Sequence, residues 1–158
     1  MSLLKDINQT KLSSADIIHK TAEYLQTLDY LNFAILFGSH AQNKATAMSD
    51  IDIGIHTNRD LELLEIGYIT AKLESRLKCN VDLIVLNQLY KRKPKLVFEI
   101  VSKGKIICSK NEKALVEFKK NCYLYYLDTQ YLRQMMDRNL RERLENGLFG
   151  VRADVRKA

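Results

Sequence analysis

Two aspartates set into an alternating apolar run constrain this chain more than any other feature. Ile51-Asp52-Ile53-Gly54-Ile55-His56 repeats with period two, the pattern of a strand, and Asp50 lies two residues before Asp52. Side chains at i and i+2 of a strand share a face, so the two carboxylates project together. Like charges so placed repel each other and are costly to desolvate. A fold that keeps them has to supply a counter-charge, and a divalent cation is the natural one, since Mg²⁺ binds through one or two carboxylates plus substrate phosphates.

A second short apolar run, Asn32 to Phe37, closes on Gly38-Ser39, and ten residues separate Ser39 from Asp50. Its length and the closing glycine indicate a buried strand followed by a sharp turn. A short helix starting at Ser39 would offer free N–H groups and a hydroxyl to a phosphate. A third run, Val81 to Leu86, carries one charge, Asp82, near its start. If this strand lies beside Ile51–Ile55, Asp82 reaches the same place, and three carboxylates allow two metal ions roughly 4 Å apart.

The remaining elements follow from periodicity and punctuation. Ser13 or Ser14 caps a helix reaching about Leu28, with Ile17, Ile18, Ala22, Leu25 and Leu28 on its apolar stripe. Leu61 to Lys78 reads as a helix interrupted only by Gly67, and Pro94 and Gly104 bracket another with Leu96, Val97, Ile100 and Val101 on one face. Lys105 to Ser109 reads as a fourth strand. Asn111 caps a long helical tail whose apolar positions, Leu115, Phe118, Cys122, Tyr125, Leu132 and Met136, are spaced by threes and fours with Thr129 between, and Gly147 and Gly150 end it. A pattern of this length commonly breaks into two helices or packs on another chain. The expected fold is therefore α/β (α+β): a small mixed sheet with packed helices over residues 1–110, and a helical extension over 111–158 that packs on the domain or on a partner.

Composition narrows the class. With 158 residues, 46% hydrophobic and 28% charged, the chain reads as a soluble domain with no membrane span and no signal peptide in Met1–Thr10. Three widely spaced cysteines, Cys79, Cys108 and Cys122, argue against a disulfide framework or a zinc site, and point to a reduced, cytoplasmic setting. The net charge of +6 suits nucleotides, nucleic acid or an acidic protein as partners without choosing among them. Tyr123, Tyr125, Tyr126 and Tyr131 read as core or interface in preference to a base-stacking platform, and the basic run Lys91, Arg92, Lys93, Lys95 as a solvated loop.

Gly38-Ser39, ten residues, Asp50-x-Asp52 and a later Asp82 together resemble the nucleotidyltransferase superfamily that includes DNA polymerase beta. The short chain resembles its minimal nucleotidyltransferase branch, commonly the antitoxin paired with a HEPN-domain ribonuclease toxin. The resemblance implies a nucleotidyltransferase fold. It implies that Asp50, Asp52 and Asp82 are catalytic and ligate two Mg²⁺ ions, and that Gly38 and Ser39 hold the triphosphate of ATP. It implies attack of a protein hydroxyl, a tyrosine of the HEPN toxin, on the α-phosphorus, and assembly as a homo- or hetero-oligomer with the toxin. Nucleic acid is the weaker candidate partner. Two other readings stay open: a transferase for small molecules of the aminoglycoside type, and a module that blocks a toxin by contact alone. The chain departs from the family where relatives carry Arg after Gly-Ser and an Arg-Gly two residues later; here His40, Gln42 and Asn43 stand there. His40 reads as a residue of an exposed helix turn in preference to a phosphate contact, and Lys44 as a solvated lysine.

Overall fold

The computed structural model describes residues 12–147. The N-terminal stretch Met1–Thr10 and Gly150, on which two sequence expectations rest, lie outside the described residues. Among the described residues six helices and four strands follow in the order α1 (Ser14–Leu25), β1 (Leu31–Phe37), α2 (Gly38–Ala41), β2 (Ile51–Thr57), α3 (Leu63–Leu77), β3 (Val81–Val85), α4 (Leu89–Arg92), α5 (Pro94–Lys103), β4 (Lys105–Ser109) and α6 (Glu112–Glu145). The four strands form one mixed sheet in the order β3-β2-β1-β4. β1 pairs antiparallel with both β2 and β4, whereas β2 and β3 run parallel and are joined through α3. That connection is the crossover a parallel pair requires.

Strand alternation decides which helices cover which face. Ile51, Ile53 and Ile55 of β2 join Leu31, Ala34 and Leu36 of β1 in a buried cluster with Ile17 and Leu25 of α1 and Ile69, Leu73 and Leu77 of α3. The opposite face carries Phe33 and Ile35, packed with Val97 and Ile100 of α5 and Leu115, Phe118 and Cys122 of α6. The even positions of β2 look this second way. His56 stacks on Phe33 at 4.7 Å and meets Phe118 edge-on at 5.4 Å. Gly54 leaves the space that the Leu86 side chain fills; an added Cβ would meet both Leu86 methyls at 2.9 Å. Asp52 belongs to this same face. Each fully buried aliphatic side chain in these layers contributes about 1.5–3 kcal/mol.

Local chemistry sets the element ends. Ser13 begins α1 through a reciprocal capping box with Asp16, and the helix ends at Leu25, a turn short of the expected Leu28 because Gln26 caps it. α3 starts at Leu63 behind its own capping box, Glu62 with Glu65, and stops where Lys78 adopts a left-handed conformation, φ 54°. β3 ends at Val85, and Leu86 turns into the core. The basic run expected as a loop is partly helical: Lys91 and Arg92 close α4, and Lys95 lies in α5, all with exposed side chains.

The tail is one unbroken helix of 34 residues, Glu112–Glu145, capped by the Asn111 side chain on the Ala114 N–H. It does not divide in two because no glycine or proline interrupts it between those ends. Its first three turns complete the second core, and Tyr126 stacks on Phe98 of α5 at 4.1 Å. Beyond them the apolar positions are exposed, Leu132 at 58% and Met136 at 71%. Tyr125 and Tyr126 are half-buried, while Tyr131 is exposed. Among the described residues no helix is long and apolar enough to cross a membrane.

Candidate active site

The sheet brings the end of β1 against the starts of β2 and β3. Phe37 pairs with Asp52 across the antiparallel ladder, and Asp52 pairs with Asp82 across the parallel one. Adjacent strands lie about 4.8 Å apart, and residues in register share a face, so the Asp52 and Asp82 side chains emerge side by side. Gly38 follows Phe37 directly and takes φ +70°, a left-handed turn that glycine adopts without strain. The turn lies against the acidic strand: a Cβ at Gly38 would stand 2.1 Å from Oδ2 of Asp52. Only a residue without a side chain fits there. Ser39 follows in the single turn of α2, its backbone carbonyl accepting from the Lys44 N–H at 2.9 Å.

Asp50 lies one residue before β2 and is exposed. The peptide after it is fixed by the Ile51 N–H, which donates to the Asn80 carbonyl at 2.9 Å. Burial pushes the Asp52 carboxyl above its ordinary value, the charges of Asp82 and then Asp50 push it the same way, and His40 opposes them. None of the three has an ion-pair or hydrogen-bond partner among the described residues. The structure thus gathers Gly38, Ser39, Asp50, Asp52 and Asp82 at one end of the sheet.

The donor set has the chemistry of a hard-cation site: carboxylate oxygens that form no ion pair among the described residues. Among the described residues no group of three or more His, Cys, Asp or Glu side chains forms a ready ligand cluster. A Mg²⁺ site completed by water and phosphate needs only one or two carboxylates from the protein, and the residues present fit that kind of site.

His40 differs from its sequence reading. It is 8% exposed, buried beneath the loop that leads to β2, because Nε2 turns inward to the Ser49 carbonyl at 3.3 Å. A helix of four residues is too short for periodicity to reveal its inner side, so nothing in the sequence marked this. Gln42, Asn43 and Lys44 are exposed, and Asn43 takes a left-handed φ of 56° where α2 ends.

A mixed sheet with a Gly-Ser turn at the end of one strand and acidic residues opening the next two defines a nucleotidyltransferase domain. The chain belongs to the polymerase beta nucleotidyltransferase family, whose model matches residues 19–113, more than half of its length. Its fold is similar to a chain from the crystal structure of a toxin–antitoxin complex with AMP-PNP, with TM-score 0.67 and 25% identity over 78% of this chain and 98% of that one. It is similar to a chain of the complex between tri-AMPylated HEPN toxin from Shewanella oneidensis and its MNT antitoxin, with TM-score 0.64 and 22% identity over 81% and 98%. A chain from a mutant MntA–HepT toxin–antitoxin structure matches with TM-score 0.63 and 25% identity over 83% and 99%. No curated protein sequence matches the chain.

Proposed function

We propose that this nucleotidyltransferase transfers AMP from Mg-ATP to a hydroxyl of a HEPN-domain toxin, a tyrosine, and so acts as the toxin's antitoxin. The observation that carries the chemistry is the in-register pair Asp52 and Asp82, with Asp52 packed against Gly38 and neither carboxylate in an ion pair among the described residues. In this reading Asp50, Asp52 and Asp82 hold two Mg²⁺ ions, and Gly38 and Ser39 receive the triphosphate. Bound Mg²⁺ supplies charge neutralisation at the phosphates and a lowered pKa for the acceptor hydroxyl. The carboxylates would orient the reacting groups, and Asp82 would help to deprotonate the acceptor hydroxyl. The hydroxyl oxygen attacks the α-phosphorus, the bond to the β-phosphate oxygen breaks, and pyrophosphate leaves. Positioning and electrostatic stabilisation carry most such transfers. The protein substrate is supported by the toxin–antitoxin neighbours, one bearing AMP-PNP and one an AMPylated toxin.

The test is direct. The purified chain, α-labelled ATP, Mg²⁺ and the cognate toxin should give labelled toxin, and Asp50→Ala/Asp52→Ala should abolish it. Equal labelling by wild type and the double variant, or none by either, would refute the reading. The exposed apolar positions of α6 favour the contact-only alternative, in which a triple Asp→Ala variant still neutralises the toxin in full.

A further inference from the structure

Of the three carboxylates, Asp50 alone is not placed by a strand ladder. Asp52 and Asp82 lie within β2 and β3 in mutual register, whereas Asp50 ends the loop from α2. That loop carries its own constraints. Ser49 folds back on Thr46, the Thr46 N–H donating to Ser49 Oγ at 2.9 Å and the Ser49 N–H to the Thr46 carbonyl at 3.1 Å. The Ser14 hydroxyl of α1 donates to the His40 carbonyl. The two peptides that flank Asp50 are then pinned from opposite sides: the later one through Ile51 on Asn80, and the earlier one through Ser49 on the His40 ring. A carbonyl only accepts, so the His40 ring must carry its proton on Nε2.

We propose that His40 is a positioning residue for nucleotidyl transfer: its buried ring spans the loop from the Gly38-Ser39 turn to Ser49 and sets Asp50 in register with Asp52 for cation binding. The inference rests on the site reading above but concerns a different residue and a different observable. The ring makes the contact through Nε2–H, and a side chain that presents an N–H at the same reach should replace it. Glutamine does so, since its amide nitrogen sits as far from the backbone as Nε2. Leucine fills similar space without a donor.

Wild type, His40→Gln and His40→Leu are compared by melting temperature, by native amide hydrogen exchange, and by binding of Mn²⁺ in the presence of a non-hydrolysable ATP analogue. Loss of one hydrogen bond corresponds to roughly a 5–10-fold effect. His40→Leu should therefore speed exchange at Ser49 and Ile51 by about that factor and raise the half-saturating Mn²⁺ concentration similarly, with His40→Gln within about 2-fold of wild type. A purely space-filling role would shift the melting temperature and leave Mn²⁺ binding alone. Unchanged exchange and Mn²⁺ affinity in His40→Leu, or equal impairment of both variants, overturns the proposal. Should His40→Leu fail to fold, the ring nitrogen resonances of the wild type decide: the Nε2–H tautomer supports the contact and the Nδ1–H tautomer refutes it. Wild-type protein that labels no toxin yet shows the expected exchange and Mn²⁺ pattern would discard the transfer reaction and leave only the placement of Asp50 for cation binding by His40 standing.

Discussion

Gly38→Ala is the sharpest perturbation the site offers. The residue sits at φ +70°, where an L side chain costs about 1–2 kcal/mol. The added methyl would also fall 2.1 Å from Oδ2 of Asp52 and 3.0 Å from its Cγ, so the carboxylate has to leave its rotamer. An off-rotamer side chain costs about 0.5–1.5 kcal/mol, and the total comes to about 2–3 kcal/mol. For a chain of this length each kcal/mol lowers the melting temperature by about 2–4 °C, which gives a fall of roughly 5–10 °C. Gly147→Ala separates the two contributions, since Gly147 has φ +65° with nothing within 4 Å of the added atom. A double-mutant cycle separates them again: in an Asp52→Ala background the steric part of the Gly38→Ala cost should vanish, leaving a coupling of about 1 kcal/mol. Activity should fall much further than stability, by about 100-fold, because a displacement of an ångström in a reacting group suffices for that. Circular dichroism melts and the label-transfer assay give both numbers. A Gly38→Ala cost identical in the two backgrounds, with transfer unimpaired, would refute the packing of this turn on Asp52.

The other predictions draw on different parts of the molecule. Because burial and two neighbouring carboxylates raise the folded-state pKa of Asp52, the folded protein binds the extra proton more tightly than the unfolded chain does, and stability is lost as pH rises through the folded value. Asp52→Asn should therefore melt above wild type at pH 7 without divalent cation, and the gap should close at pH 3; a variant less stable at pH 7 would contradict this. Gly54→Ala should cost about 1–3 kcal/mol by overpacking Leu86, with Leu86→Val in the same chain recovering part of it in urea titrations. Burial holds the thiols of Cys108 and Cys122 up, that of Cys122 to about 12, whereas Cys79 is exposed. A disulfide reagent should accordingly titrate one thiol rapidly in the native protein and the other two only after denaturation. Phe118→Ala should cost about 3–5 kcal/mol by equilibrium unfolding, since its ring lies among Phe33, His56 and Tyr90 in the second core.

What was legible in the sequence was whatever has a period or a punctuation mark. Alternation in Ile51–His56 and the runs ending at Phe37 and Leu86 announced the strands, and Pro94 and Gly104 bracketed α5. The pairing of strands carries no such mark. Nothing in Val81–Val85 says that it lies parallel to β2 with Asp82 level with Asp52, since a shift of one residue would turn Asp82 to the other face at no cost visible in the local pattern. His40 was misjudged for a related reason. Its partner, the Ser49 carbonyl, is a backbone atom nine residues away, and a backbone acceptor leaves no trace in side-chain composition.

The tail shows the same limit from the opposite side. Leu115, Phe118 and Cys122 obey one spacing rule with Leu132 and Met136, yet the first three are buried and the last two are exposed. Periodicity reports that one side of a helix is apolar; it does not report where the sheet beneath that helix ends. In this fold α6 leaves the sheet after its early turns, and its 34 residues at about 1.5 Å each carry the apolar side past the other described residues that would cover it. The acidic site and the uncovered helix thus have one origin. The sheet of four short strands leaves Asp50 and Asp82 exposed, covers Asp52 only in part, and among the described residues does not extend beneath the later turns of α6.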